Sequence, residues 1–489
     1  MISKPVKNTR ALKILFFFLL FLSILACNLF SFDSSTPRVS TPISEGTDLP
    51  VSSTSTSTPP TGFNPTGPYV VFSGSDGIWI TNPDGSFPTR LTDSGPAAGD
   101  LHQLLSPSGD RLVYVAQNET GLDLTEVKIP SGEVNIVSRL LDITFDEVAG
   151  NPTSAKAIAY YAIKDYDSLA WQPESGQLLA FTGAMDGPSA DLYLYDFSNA
   201  EITRLTDGPS QAIFPTWSPN GEYILHYGVS WTPPFGGAIV GYNRLDGVYA
   251  VRISDGEVID QPEPIGERAA FDGWWDDTHY ITHDTDVLEP LGCYTLNLRT
   301  IDVATLEAQP VMDYSFSGGL ALSPRNRAML FSGSADCFSS PGEGVYLLIP
   351  GSSVPQKLHD TSAYEASWLP ESEVFHAYPR GLFSADGQTV YDPPVLDKSF
   401  HPAISKQGYQ AWEVIENFQG RVVVKDTTRD WRAVLENISV AGLIWDPIKG
   451  DTLLIALQDG SLYKAAYPDF TPRLQGDLGE RIQQAIWVP

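Results

Sequence analysis

An all-β repeat fold is what this chain predicts, on three observations. The first is a recurring unit. "LAWQPESGQLLAF" at 169–181, "PTWSPNGEYILHY" at 215–227 and "LIWDPIKGDTLLIAL" at 443–457 each place an aromatic and a proline-containing turn before an apolar run. The second is the character of the runs: "YVVFSG" and "GIWITN" are short, β-branched and aromatic, and "NPDG" at 82–85 is a turn signal. The third is spacing. The tryptophan slot can be followed through Leu105, Trp171, Trp217, Trp275, Leu322, Trp368, Ile404, Trp445 and Trp487, at intervals of 36 to 66 residues. A four-stranded blade takes about 40–45 residues.

The elements follow in chain order. Lys4, Lys7, Arg10 and Lys13 form a basic segment without an acid, and Ile14 to Leu25 is apolar. Twelve residues suit a signal h-region better than a bilayer span. The segment ends "ILAC", which resembles the lipobox of bacterial lipoproteins. The resemblance implies a signal peptide over 1–26 and acylation of Cys27 as the first mature residue. Two or more acyl chains would hold the chain stably at a membrane, facing the extracytoplasmic side. An ordinary secretory signal with an incidental cysteine, or a short uncleaved anchor, is the alternative. Residues 27–66 then turn to "SSTPRVSTPISEGTDLPVSSTSTSTPPTG". Without apolar periodicity this stretch cannot offset its ordering entropy, so a disordered tether is expected.

Residues 67–489 carry the repeat. Its fullest copy runs "LAWQPESGQLLAFTG", "DLYLYDFSNA", "EITRLTDG" over 169–208, and "TRLTD" also occurs at 89–93. This cycle resembles the TolB-like, WD40-like repeat, one cycle to each four-stranded blade. The resemblance implies a single closed β-propeller, in which radial stacking covers both faces of every sheet. Nine slots would give nine blades, but propellers usually have four to eight. We expect eight, with Trp368 or Ile404 the false slot and seven or nine as alternatives. TolB members have six, so the resemblance sets repeat type and not number. The chain reaches "RIQQAIWVP", one strand into a new cycle, while "GPYVVFSG" lacks that first strand. The N- and C-terminal strands are therefore expected to share one blade. Two long intervals call for insertions. One, around "DEVAGNPTSAKAIAYYAIKDY", suits a short helix; the other is the loop "VSWTPPFGGAIVGYNRLDG".

Composition narrows the partners. The 59 acidic against 30 basic residues give a net charge of −29. Such a surface repels phosphate backbones, which argues against nucleic acid. No Gly-x-Ser-x-Gly elbow is present. The propellers of prolyl-oligopeptidase-type peptidases resemble this repeat too, but a hydrolase domain would be expected to follow. His279 and His283 in "HYITHD", near Asp284 and Asp286, sit four apart. On a strand that is about 13 Å, too far to share a zinc with bonds of about 2 Å. No metal and no cofactor are expected. The other histidines, His102 and His401 among them, are scattered. Asp84–Gly85, Asp246–Gly247 and Asp255–Gly256 read as hairpin turns. Cys293 and Cys337 lie close to one repeat period apart, which allows either a disulfide between neighbouring blades or two separate thiols.

The functional expectation is a monomeric, membrane-anchored scaffold and not an enzyme. It would bind a protein, peptide or glycan through the aromatic insertion carrying Trp231, Phe235 and Tyr242; alternatively, these residues fold back as a lid. Two other functions compete. One is an extracytoplasmic hydrolase or lyase with carboxylates in the central channel. The other is an envelope-structural role by analogy with TolB.

Overall fold

A computed structural model of the chain describes residues 64 and 66–488, apart from 75–76, 94, 97–99, 233–241, 263–269, 289–292, 325–326, 334–341, 353 and 371. The described strands form nine antiparallel blades. Blade 1 joins Tyr69–Gly74, Ile78–Thr81 and Thr89–Arg90 to Ile482–Val488. The last strand pairs with the first in the register Tyr69↔Val488, Val70↔Trp487, Val71↔Ile486 and Phe72↔Ala485. The expected shared blade is present, and it closes the ring.

The expected eight blades are corrected to nine. Trp368 and Ile404 are both true slots. Blade 7, with strands Glu365–Leu369, Val374–Tyr378, Gly381–Ser384 and Val390–Tyr391, fits the 36-residue interval because its strands are only two to five residues long. Blades 5 and 6 also share one continuous strand, Ala308–Leu322. Its first half is the outer edge of blade 5 and its second half the inner edge of blade 6.

A hydrogen-bond pattern explains the slot. The indole Nε1–H of Trp171 donates to the carbonyl of Leu104 (3.1 Å), Trp217 to Ala170 (2.8 Å), Trp274 to Thr216 (3.4 Å) and Trp445 to Ala403 (3.3 Å). Each acceptor sits one residue before the slot of the preceding blade. The tryptophan thus rivets neighbouring blades, and the slot residue of blade 5 is Trp274, not Trp275. Trp217→Phe removes one donor at a cost of about 1 kcal/mol. Trp217→Ala also empties a buried site, for about 3–5 kcal/mol. Urea midpoints of the two variants should separate accordingly.

The recurring "LTD" has its reason too. Thr92 Oγ1 accepts from the Ile78 N–H and Thr206 Oγ1 from the Leu192 N–H, both at 2.9 Å. The threonine ties the end of the outer strand to a strand inside its blade.

Every pair of neighbouring blades is joined by a buried apolar cluster. Val70, Phe72, Ile444 and Leu454 bind blade 9 to blade 1; Ala180, Leu192, Trp217 and Ile224 bind blade 3 to blade 4. Central strands such as Met329–Gly333 and Gly344–Leu348 are buried along their whole length. They read as continuous apolar runs because a sheet covers each face. Outer strands such as Glu201–Arg204 alternate between exposed and half-buried.

Blade 2 departs from the pattern. Its sheet has three strands, Arg111–Asn118, Gly121–Lys128 and Val134–Asp142. The inner position is taken by a helical turn, α1 (Leu101–Leu104), followed by a bridge from Leu105 to Leu112. The first insertion folds as two helices, α2 (Phe145–Gly150) and α3 (Ala155–Lys164). Thr144 and Glu147 form a capping box at α2, and Ser154 caps α3. Asp255–Gly256 is a hairpin turn, but Asp246 is not. It lies inside the strand Tyr242–Arg252 at a bulge, where Ser210 and Ser230 donate to its carboxylate.

One buried histidine gives the fold a pH dependence. His226 is 6% exposed, stacks on Tyr249 at 5.4 Å, and has its pKa lowered to about 4 by burial. An unfolded imidazole titrates near 6.5. Below that pH the unfolded chain binds a proton that the folded chain refuses. Stability should therefore fall as pH drops from about 6.5 towards 4, by up to about 1.4 kcal/mol per pH unit. Urea midpoints measured across that window should fall less steeply in His226→Gln, the remaining slope belonging in part to His376, whose pKa burial also lowers to about 4.

Candidate functional site

The inner strands of blades 8, 9 and 1, of blades 3 and 4, and of blades 5, 6 and 7 contact their neighbours, and α1 contacts those of blades 1 and 3. Together they wall a central channel. Two lobes open on it, and His102 on α1 lines both. The larger lobe, about 930 Å³, lies along blades 2 to 5; the smaller, about 460 Å³, lies along blades 7 to 9 and blade 1.

The smaller lobe holds an oriented imidazole. His401 sits in the inner strand of blade 8, Ser399–Ile404, where the register shifts between Phe400 and Ala403. Its φ of 45° is in the left-handed region, uncommon for a side-chain-bearing residue. The bulge presents the ring, 46% exposed, to the channel wall. His401 Nδ1 lies 2.8 Å from Oε2 of Glu413, whose side chain is only 3% exposed. Glu413 is itself held: its Oε1 accepts the Val440 N–H at 3.1 Å. Gly420 leaves room for this carboxylate, since a Cβ there would stand 2.8 Å from Oε1. A carboxylate on Nδ1 fixes the tautomer with its proton on that nitrogen, leaving the Nε2 lone pair available as a base. Nε2 has no partner among the described residues.

Around this pair stand His376, Tyr378, Glu365, Asp100 and Gln484. Burial, reinforced by His401, lowers His376 to about 4, so it is uncharged at neutral pH. Tyr378 stacks on Phe400 at 5.4 Å and donates to the Asp397 carbonyl. The lobe's lining includes no serine, threonine or cysteine. Acid–base chemistry is available there, and the carboxylates Asp100 and Glu365 are the lobe's acidic groups.

The larger lobe has its own acid–histidine pair. Asp272 lines it, with Oδ2 on His283 Nδ1 at 2.7 Å. Burial raises the Asp272 carboxyl, and His283 partly offsets that.

The residues singled out from sequence fare differently. His279 and His283 do lie on one strand, His279–Leu288, and are engaged separately, His279 with Asp276 and His283 with Asp272. Asp284 pairs with Arg299 at 2.9 Å. Among the described residues no group of three acids, histidines or cysteines could hold a metal. Cys293 begins the third strand of blade 5, whereas Cys27 and Cys337 lie outside the described residues, as does the proposed pairing. Trp231 and Tyr242 are strand residues flanking 233–241, and Phe235 lies outside the described residues. The scattered His102 and His401 are what the fold brings to the channel. The available signal was position: His401 stands three residues before the Ile404 slot, as Phe214 stands three before Trp217.

The fold and site define an all-β propeller with acid–base groups in its channel. No family model matches the chain. The curated protein named "Uncharacterized peptidase YuxL" of Bacillus subtilis (strain 168) is 42% identical over 55 residues, which is 11% of this chain and 8% of that relative. Solved structures with a similar fold include an oligogalacturonate lyase in complex with manganese (15% identity, TM-score 0.34, covering 63% of this chain and 76% of that one). TolB from Acinetobacter baumannii is another (14% identity, TM-score 0.26, covering 78% and 82%). The expectation that the chain is not an enzyme is corrected by the relative matched over 55 residues, whose name is that of a peptidase.

Proposed function

We propose that this chain is a propeller enzyme of the hydrolase or lyase class, working by acid–base catalysis in its central channel. The observation that carries the reading is the His401–Glu413 pair: an exposed imidazole, oriented by a buried and anchored carboxylate, on the wall of a cleft. His401 serves as the general base, on water in a hydrolase or on a carbon-bound proton in a lyase. Glu365, Asp100 and Tyr378 are the candidate proton donors to the leaving group. The peptidase name of the partial relative supports the enzyme class and leaves the substrate open.

The same proposal places the enzyme outside the cytoplasm, held at the membrane by acyl chains on Cys27. Among the described residues no helix is long and apolar enough to cross a membrane. Labelled palmitate should enter the wild-type chain and not Cys27→Ser.

The catalytic test is a panel of peptides and oligosaccharides incubated with the full-length chain, with products read by mass spectrometry. Cleavage that vanishes in His401→Asn supports the reading. Cleavage of equal rate in that variant, or none of any class, sinks it.

A further inference from the structure

We propose that the larger lobe of the channel, along blades 2 to 5, is a subsite for an alkylammonium or guanidinium group carried on an extended substrate. The proposal rests on the reading of the channel as a substrate cleft and adds the chemical class of what enters it.

The lining carries two carboxylates, Asp167 and Asp272, and four rings, Trp171, Phe214, Tyr227 and Phe271. Among the described residues neither lobe is lined by a lysine or arginine. Lys406 faces a third recess, which also meets His102. The rings and acids form one arc. Phe214 stands edge-to-face between Tyr166 (5.2 Å) and Tyr227 (6.2 Å), and is 37% exposed. Its N–H donates to the Asp167 carbonyl at 3.1 Å. The Tyr227 hydroxyl accepts the Phe271 N–H at 2.7 Å, which seats the neighbouring Asp272 beside it.

Asp272 supplies the observation that points to a ligand. Its side chain is 9% exposed, Oδ2 is taken by His283, and Oδ1 has no partner among the described residues. Asp272 lines the lobe, so this oxygen can accept a further N–H from a group seated there. A cationic N–H donor seated in the lobe would satisfy it. Aromatic faces attract the same group, with separations of about 6 Å or less from the ring centre. The chain's net charge of −29 draws cations towards the cleft and repels anions. These features disfavour a polyanionic substrate such as a uronic-acid polymer.

The test is binding, read apart from turnover. N-acetyl-trilysine amide is titrated into the full-length chain by calorimetry at 0.15 M salt, beside N-acetyl-trinorleucine amide and N-acetyl-triglutamate amide. Trilysine should bind, and the two others should bind at least tenfold more weakly. Phe214→Ala and Asp167→Asn, on side chains that are not buried, should each weaken trilysine at least tenfold. Asp272→Asn should do the same where its melting curve matches wild type. Unchanged affinity in Phe214→Ala and Asp167→Asn would overturn the proposal, because the attraction would then belong to the acidic surface at large. Equal binding of triglutamate would overturn it too. His401→Asn separates the two readings. Trilysine binding retained there, with no turnover in any variant, keeps the subsite and removes the catalytic reading. Turnover of neutral substrates without trilysine binding does the reverse.

Discussion

His401→Asn should lower kcat by about 10²–10⁴-fold, the usual contribution of a positioned general base, on whichever substrate the product assay identifies. The side chain is half exposed and belongs to no apolar cluster, so the melting temperature should scarcely move. Glu413→Gln is the sharper variant. The amide oxygen can still accept the Val440 N–H, but its NH₂ would then face His401 Nδ1. That contact favours the other tautomer, with the proton on Nε2 and no lone pair towards the channel. The rate should fall nearly as far as in His401→Asn, without any change to a channel-facing group. A steady-state comparison of kcat and KM for both variants checks this. If Glu413→Gln keeps full activity, Glu413 does not set the tautomer and the mechanism fails.

Removing Ile482–Val488 should have the largest effect on stability. The strand buries Ile482, Ile486 and Val488, each 2% exposed or less, and covers the inner edge of Tyr69–Gly74. Burial of each side chain contributes about 1.5–3 kcal/mol, so the strand accounts for a large part of a typical folding free energy of about 5–15 kcal/mol. It also leaves an unpaired edge, which invites association between chains. Truncation after Leu478 should broaden or abolish the cooperative thermal transition and shift the chain to aggregates in size-exclusion chromatography. A truncated chain that melts like wild type would show that the ring does not depend on this clasp.

Much of this architecture was legible in the residues. The tryptophan slot, the turns and the "LTD" ending are local signals, repeated because each blade meets the same neighbours in the same way. The clasp was legible because one strand was missing at the start and one was left over at the end. Blade number was not legible. Ile404 lacks the indole, and blade 7 is so short that its interval looks like a failed repeat. Asp246–Gly247 reads as a hairpin turn by residue type, yet the strand runs on through it as a bulge, because Ser210 and Ser230 hold the carboxylate in place.

The sequence by itself determined the all-β class, the repeat, the closure of the ring and the acidic balance, since each is written in short stretches or in composition. Only the tertiary structure decided that there are nine blades and which side chains meet at the channel. Asp100 and His102 come from blade 2, Glu365 and His376 from blade 7, His401 and Glu413 from blade 8 and Gln484 from the last strand. Nothing local relates the groups of one blade to those of another. They meet because a closed ring brings the inner strands of blades far apart in sequence to a common axis. A lone histidine carries no signal until its carboxylate, supplied by the neighbouring strand, is in place.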